Sequence, residues 1–190
     1  IGCTFARFTV GTQFDFCDVW VEKTIQLVLV LRPELVVLFQ CYRVGVGCPQ
    51  PTMSAERREE YSTSVASVID ELNDAGIAVL YVLDTPAVLP EQASPSLILN
   101  NSRVPIQRGA RATNADVAKL LRQTANASGG LLQFANITNG LCNKESCRYV
   151  SSDNQPLWFD ADHLSLFGVR DRTEPLRSAI EKALTQTTSP

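Results

Sequence analysis

The chain holds one histidine, and it stands in Asp160-Ala161-Asp162-His163-Leu164-Ser165. A carboxylate three residues before a histidine can reach back, accept the Nδ1 hydrogen and fix the tautomer of the ring. The free Nε2 can then take a proton from a hydroxyl. The pair therefore reads as acyl-transfer chemistry, with His163 the general base and Asp160 the group that orients it and stabilises the imidazolium. Asp162 reads as a solvated or helix-capping carboxylate. Asp160 follows the apolar pair Trp158-Phe159, which predicts partial desolvation of its carboxylate. Ser165 and Gly168 open a helix, which leaves the histidine on a loop facing a cleft. A plainer reading is an Asp-rich helix cap with an incidental histidine.

A base needs a nucleophile. Ser54, Ser62 and Ser64 belong to a helical segment rather than a strand-to-helix turn and are not candidates. No metal site is expected, because no CxxC is present and the one histidine lies far from a suitable cluster. No cofactor is implied either.

The elements that must carry this pair are legible from apolar patterning. Residues 18–31 read as a helix. After Arg32-Pro33, the run 34–39 has the length of a strand buried on both faces. A helix over 55–75 is capped by Ser54 and stopped by Gly76, with Val65, Val68, Ile69 and Leu72 on one face. A second buried strand covers 77–83. The stretch 84–112, with its prolines, reads as a long irregular loop of the kind that shapes binding sites. A helix at about 113–126 ends at Gly129-Gly130, and a short strand follows over 131–135. Residues 136–159 read as a loop. The last helix runs from about 165 to 184, with Pro175 either kinking it or starting a second piece. Strands alternating with helices predict an α/β fold, a three-layer α/β/α sandwich with a mostly parallel sheet. Sites in such sheets lie beyond the carboxyl ends of the strands, where the loops after Phe39, Leu83 and Ala135 and the His163 loop meet.

Composition narrows the rest. The 190 residues are 45% apolar and 19% charged, enough for one domain with a full core and against disorder. The net charge of −3 and the lack of a basic run argue against nucleic acid as partner. No apolar run reaches the ~20 residues that span a bilayer. Six cysteines form close pairs, Cys41/Cys48 and Cys142/Cys147, with Cys3/Cys17 as a third. Three sequons stand at Asn100-Asn101-Ser102, Asn126-Ala127-Ser128 and Asn136-Ile137-Thr138. Together they favour disulfides in an extracellular or lumenal compartment, the alternative being six reduced thiols.

The block from Leu157 through Trp158-Phe159-Asp160-Ala161-Asp162-His163-Leu164-Ser165 to Gly168 resembles the C-terminal Asp-x-x-His block of SGNH (GDSL-type) hydrolases. It is most similar to the SGNH domain fused to membrane O-acyltransferases (acyltransferase family 3 type), with its D-x-D-H-L-S-x-x-G form. Arg32-Pro33-Glu34-Leu35-Val36-Val37-Leu38 and the Gly76–Pro86 stretch resemble two strands of that family, and Cys142 with Cys147 its two-cysteine loop. The resemblance spans most of the chain and implies one SGNH-like domain over 1–190, flavodoxin-like in architecture. No Gly-Asp-Ser stands in the sequence, so the family's serine is expected upstream of Ile1 and the domain is expected to be truncated at its N-terminus. The family's Gly and Asn oxyanion blocks are missing too. Phe39-Gln40-Cys41-Tyr42-Arg43 stands where the Asn block would fall, with Gln40 or Arg43 as oxyanion or substrate contacts, or as plain loop residues.

The implied activity is transfer of an acyl group, often acetyl, through an acyl-serine. The implied partners are an acyl donor, a hydroxyl acceptor on a sugar or lipid, and a membrane acyltransferase domain. The implied location is the extracellular, lumenal or periplasmic side of a membrane protein. On this reading the chain alone is inactive. The alternative is an extracellular SGNH-like binding module without catalysis.

Overall fold

The computed structural model describes residues 15–39, 55–83, 85, 88, 103–106, 118–123, 131–159 and 163–187. In chain order the elements are α1 (Asp15–Leu31), β1 (Leu35–Phe39), α2 (Ala55–Asp74), β2 (Ala78–Val82), β3 (Arg103–Pro105), α3 (118–123), β4 (Leu132–Ala135), β5 (Ser146–Arg148) and α4 (Leu166–Thr187). The parallel sheet has the order β1-β2-β4, and β3 pairs antiparallel with β5. Register sets Leu35 against Ala78 and Val79 against Leu132. The result is the α/β sandwich expected from the alternation of patterns.

Strand side chains alternate between the two helix layers. Val36, Leu38, Val79, Tyr81, Leu132 and Phe134 meet Val21 and Ile25 of α1, Val65, Val68, Ile69 and Leu72 of α2, and Leu121 of α3. The other face, through Leu35, Leu80, Val82 and Ala135, meets Leu176, Ala179, Ile180 and Ala183 of α4. Central β2 is buried along its whole length, as its unbroken apolar run demands. β1 corrects one expectation. Leu38 is buried, but Val37 is 41% and Phe39 61% exposed. The reason is coverage: α4 packs against β2 and β4 and stops short of the outer part of β1. α1 is likewise apolar on two sides, with Val19, Trp20, Leu27, Val30 and Leu31 exposed opposite its buried stripe.

The two long helices α1 and α2 end by local rules. Arg32 takes a left-handed conformation (φ 46°), donates its N–H to Val28 at 2.9 Å, and is followed by Pro33, which cannot continue a helix. After α2, Gly76 (φ 77°) donates to the Asn73 carbonyl, and Ile77 donates to that of Leu72, leaving Ile77 and Leu72 both in the core. Pro175 sits inside α4, which runs through it as one helix. Inside the core, the Tyr61 and Tyr81 hydroxyls hydrogen-bond at 2.8 Å and stitch α2 to β2. Tyr81→Phe removes that bond from a dry site and is expected to cost about 1–2 kcal/mol in urea denaturation.

Two stretches expected to be irregular contain structure. β3 lies within 84–112 and β5 within 136–159. Both strands are three residues long, too short for an alternation to register in the sequence.

Candidate active site

Because β1, β2 and β4 are parallel, Phe39, Val82 and Ala135 end at one edge of the sheet. The chain leaving β4 builds an antiparallel meander beyond that edge. Its first turn is closed by the Cys142–Cys147 disulfide, the expected pairing. Asn143 Oδ1 accepts the amides of Glu145 and Ser146, which tightens that turn. β5 pairs outward with β3, where Arg103 donates to the hydroxyl and carbonyl of Ser146. On its other side β5 is followed by a return strand: Tyr149 O accepts the Leu157 amide at 2.8 Å, and Ser151 N donates to Gln155 O. That return strand pairs in turn with the histidine loop. Trp158 bridges Leu164, Phe159 N donates to His163 O at 2.8 Å, and Ser165 N donates to Leu157 O at 3.0 Å.

His163 is therefore the last rung of a ladder, directly across from Phe159. Cross-strand partners project to the same side of a ribbon. Trp158 and Leu164 point inward, where Trp158 is 2% exposed and Leu164 touches the clusters on both sides. Phe159 and His163 point the other way, into solvent. Phe159 is 80% exposed, so the apolar pair expected to shield Asp160 is split. Only its tryptophan is buried, because alternation along an extended segment sends neighbours to opposite faces. Asp160 itself lies outside the described residues, as do Asp162, Gln40, Arg43 and Ser54. Ser62 and Ser64 are buried within α2, away from any strand-to-helix turn.

The helix after the histidine starts as its sequence requires. Ser165 caps it, its Oγ accepting the Gly168 amide at 3.1 Å and donating to Pro156 O. Two turns on, Asp171 accepts from Arg148 Nη2 at 3.0 Å and from Arg172, and Arg172 donates to Asn139 O at 2.7 Å. These contacts tie α4 to the loop leaving β4, and so hold the His163 end of α4 beyond the carboxyl edge of the sheet. Neither this charge cluster nor the Trp158 indole bond to Arg148 O, at 2.8 Å, was legible beforehand. Both join residues far apart in sequence and carry no motif.

Of the other sequence candidates, Cys41, Cys48 and Cys3 lie outside the described residues. Asn136 is exposed, and its Oδ1 accepts from the amide and hydroxyl of Thr138; the remaining two sequons lie outside. Among the described residues no group of three or more His, Cys, Asp or Glu could hold a metal ion. None of the described helices is long and apolar enough to cross a membrane.

A parallel sheet between two helix layers, with a histidine loop beyond its carboxyl edge, defines an α/β sandwich of the flavodoxin-like kind. The family model "SGNH domain (fused to AT3 domains)" matches residues 2–174, and the chain belongs to that family. Among solved structures, the periplasmic domain of a lipopolysaccharide acetyltransferase from Salmonella ser. Paratyphi A is similar, with a TM-score of 0.65 and 11% identity. The match covers 93% of this chain and 67% of that one. A protein of Bacteroides fragilis NCTC 9343 proposed to be an acylhydrolase has a TM-score of 0.52 and 15% identity, covering 93% of this chain and 72% of that one. No curated protein sequence matches.

Proposed function

We propose that this domain transfers or hydrolyses acyl groups, often acetyl, by a Ser-His-Asp mechanism in which His163 is the base and Asp160 its orienting carboxylate. The single observation that supports this most is the position of His163: exposed, on a loop pinned by backbone bonds on both sides, beyond the carboxyl edge of the parallel sheet. The serine is carried by a segment outside these residues, since no Gly-Asp-Ser occurs among them. In the first half-reaction the serine Oγ attacks the acyl carbonyl while His163 accepts its proton. Backbone N–H groups beside the serine hold the oxyanion, and His163 then protonates the leaving group. In the second, His163 deprotonates a hydroxyl of a sugar or lipid, or a water, which attacks the acyl-serine; the ester bond to the serine Oγ breaks and His163 returns the proton to that oxygen.

The acyl donor comes from a membrane acyltransferase domain, by analogy with the fusion that names the family. The domain works on the periplasmic or extracellular side. The Cys142–Cys147 disulfide supports that location, as does the periplasmic origin of the Salmonella neighbour.

A fluorophosphonate probe tests the reading, because only an activated serine displaces its fluoride. The whole protein carrying this domain is expected to be labelled on one serine, and His163→Ala to abolish the label. A folded whole protein that takes no label overturns the mechanism. That result leaves the second reading, an extracellular SGNH-like binding module without catalysis.

A further inference from the structure

We propose that Trp158, with the Cys142–Cys147 turn behind it, is a positioning element for His163: it holds the histidine loop at the angle and depth that proton transfer requires. The inference rests on the reading of His163 as a base and adds residues that the Asp-x-x-His pattern does not contain.

The connection is continuous. The disulfide closes the turn whose flanks pair Cys142 with Cys147 and Arg148 N with Leu141 O at 2.8 Å. Arg148 then does two things. Its carbonyl receives the Trp158 indole N–H, and its guanidinium reaches Asp171 on α4. Among the described residues, the Trp158 indole supplies the side-chain bond from the return strand to β5. Its ring fills the cluster of Val88, Val104, Leu141 and Leu157. One residue on, the chain pairs with His163 itself. The indole bond thus sets the twist of the strand against which the histidine backbone is hydrogen-bonded.

The need for such a device follows from exposure. His163 and Phe159 project away from the core, so packing from the core side cannot orient them directly. The backbone that carries them is continuous with the inward pair, Trp158 and Leu164. A misplacement of about 1 Å at a reacting group costs on the order of a hundredfold in rate. Two further contacts run parallel to the indole bond, Leu157 O to Ser165 N and Pro156 O to Ser165 Oγ. With the Leu157 amide bonded to Tyr149 O on the other side, they fix the strand between its neighbours, and the indole adds an anchor on its inward face, opposite the side from which His163 projects.

The single histidine makes the test direct. In the 15N-labelled whole protein, long-range 1H–15N correlations, assigned to His163 by their loss in His163→Ala, report the tautomer of its neutral ring. Trp158→Phe keeps an aromatic ring in the cluster and deletes the donor. Cys142→Ser/Cys147→Ser opens the turn. Each is measured at a temperature where its far-UV circular dichroism equals that of the wild type. The wild type is expected to hold one tautomer. Both variants are expected to move the two ring-nitrogen resonances toward each other, as the ring samples both tautomers. A merely structural tryptophan would lower the melting temperature and leave those resonances in place, and that result overturns the inference. Asp160→Asn separates the two levels. If it mixes the tautomers while Trp158→Phe and the cysteine pair do not, the base assignment stands and the positioning role falls. If the wild type itself shows mixed tautomers unchanged by Asp160→Asn, both fall.

Discussion

His163→Ala, made in the whole protein, is expected to lower kcat for a short aryl ester by about three orders of magnitude or more, with KM changed little. The size follows from what the imidazole does. General-base catalysis alone is worth about 10²–10⁴. A histidine that works as a unit with a serine takes the serine's contribution with it when it is lost, which carries losses up to about 10⁶. KM is insensitive because the ring acts on the proton in flight rather than on bound ester. Asp160→Asn should be milder by about ten- to a hundredfold, since the imidazole remains and only its orientation suffers. The double variant should be no worse than His163→Ala alone. That non-additivity is the signature of one catalytic unit. Equal rates for wild type and His163→Ala would reject His163 as the base, whatever becomes of the fold.

The parts of this architecture that could be read in advance are those governed by local patterning. β2 is an unbroken apolar run because both its faces are covered, and α2 stops at Gly76 because only glycine takes that conformation without strain. The Cys142–Cys147 pairing was visible because the ring it closes is small. What escaped depends on partners distant in sequence. β1 has the same apolar character as β2, yet Val37 and Phe39 are exposed, because coverage by α4 is a tertiary fact. β3 pairs with β5 across about forty residues, and three-residue strands carry no period to detect.

The candidate site divides in the same way. His163 stood out by composition, being the one residue of its kind. The ribbon that carries it did not, because its rungs are backbone bonds between Tyr149, Leu157, Phe159, His163 and Ser165, and backbone bonds leave no residue signature. Trp158-Phe159 shows the cost of reading a pair by hydrophobicity alone. Strand alternation puts one ring in the core and the other beside the histidine.

Gly168→Ala carries the largest expected loss of stability. Within a helix this exchange ordinarily stabilises by about 0.5–1 kcal/mol, since alanine loses less backbone freedom on folding. Here the sign reverses. A Cβ at Gly168 would collide with the Leu157 carbonyl oxygen and sit 3.2 Å from Leu164 Cβ. The nearer obstacle is backbone, which has no rotamer with which to yield. Either the first turn of α4 withdraws or the return strand does, and the bond from Ser165 N to Leu157 O breaks in both cases. Overpacking of this kind costs about 1–3 kcal/mol and occasionally more, so the net change is a destabilisation. In a domain of this size, each kcal/mol lowers the melting temperature by about 2–4 °C. The lost bond lies two residues from His163, so kcat should fall together with stability. Gly76→Ala supplies the control. It strains a left-handed C-terminal cap at the amino edge of the sheet, where an added Cβ meets no neighbour, lowers the melting temperature through backbone strain alone, and should leave kcat of the remaining folded protein within about twofold. If the two glycine variants lower activity equally, the effect is general loosening of the fold; if Gly168→Ala melts no lower than the wild type, the close approach of α4 to Leu157 is wrong.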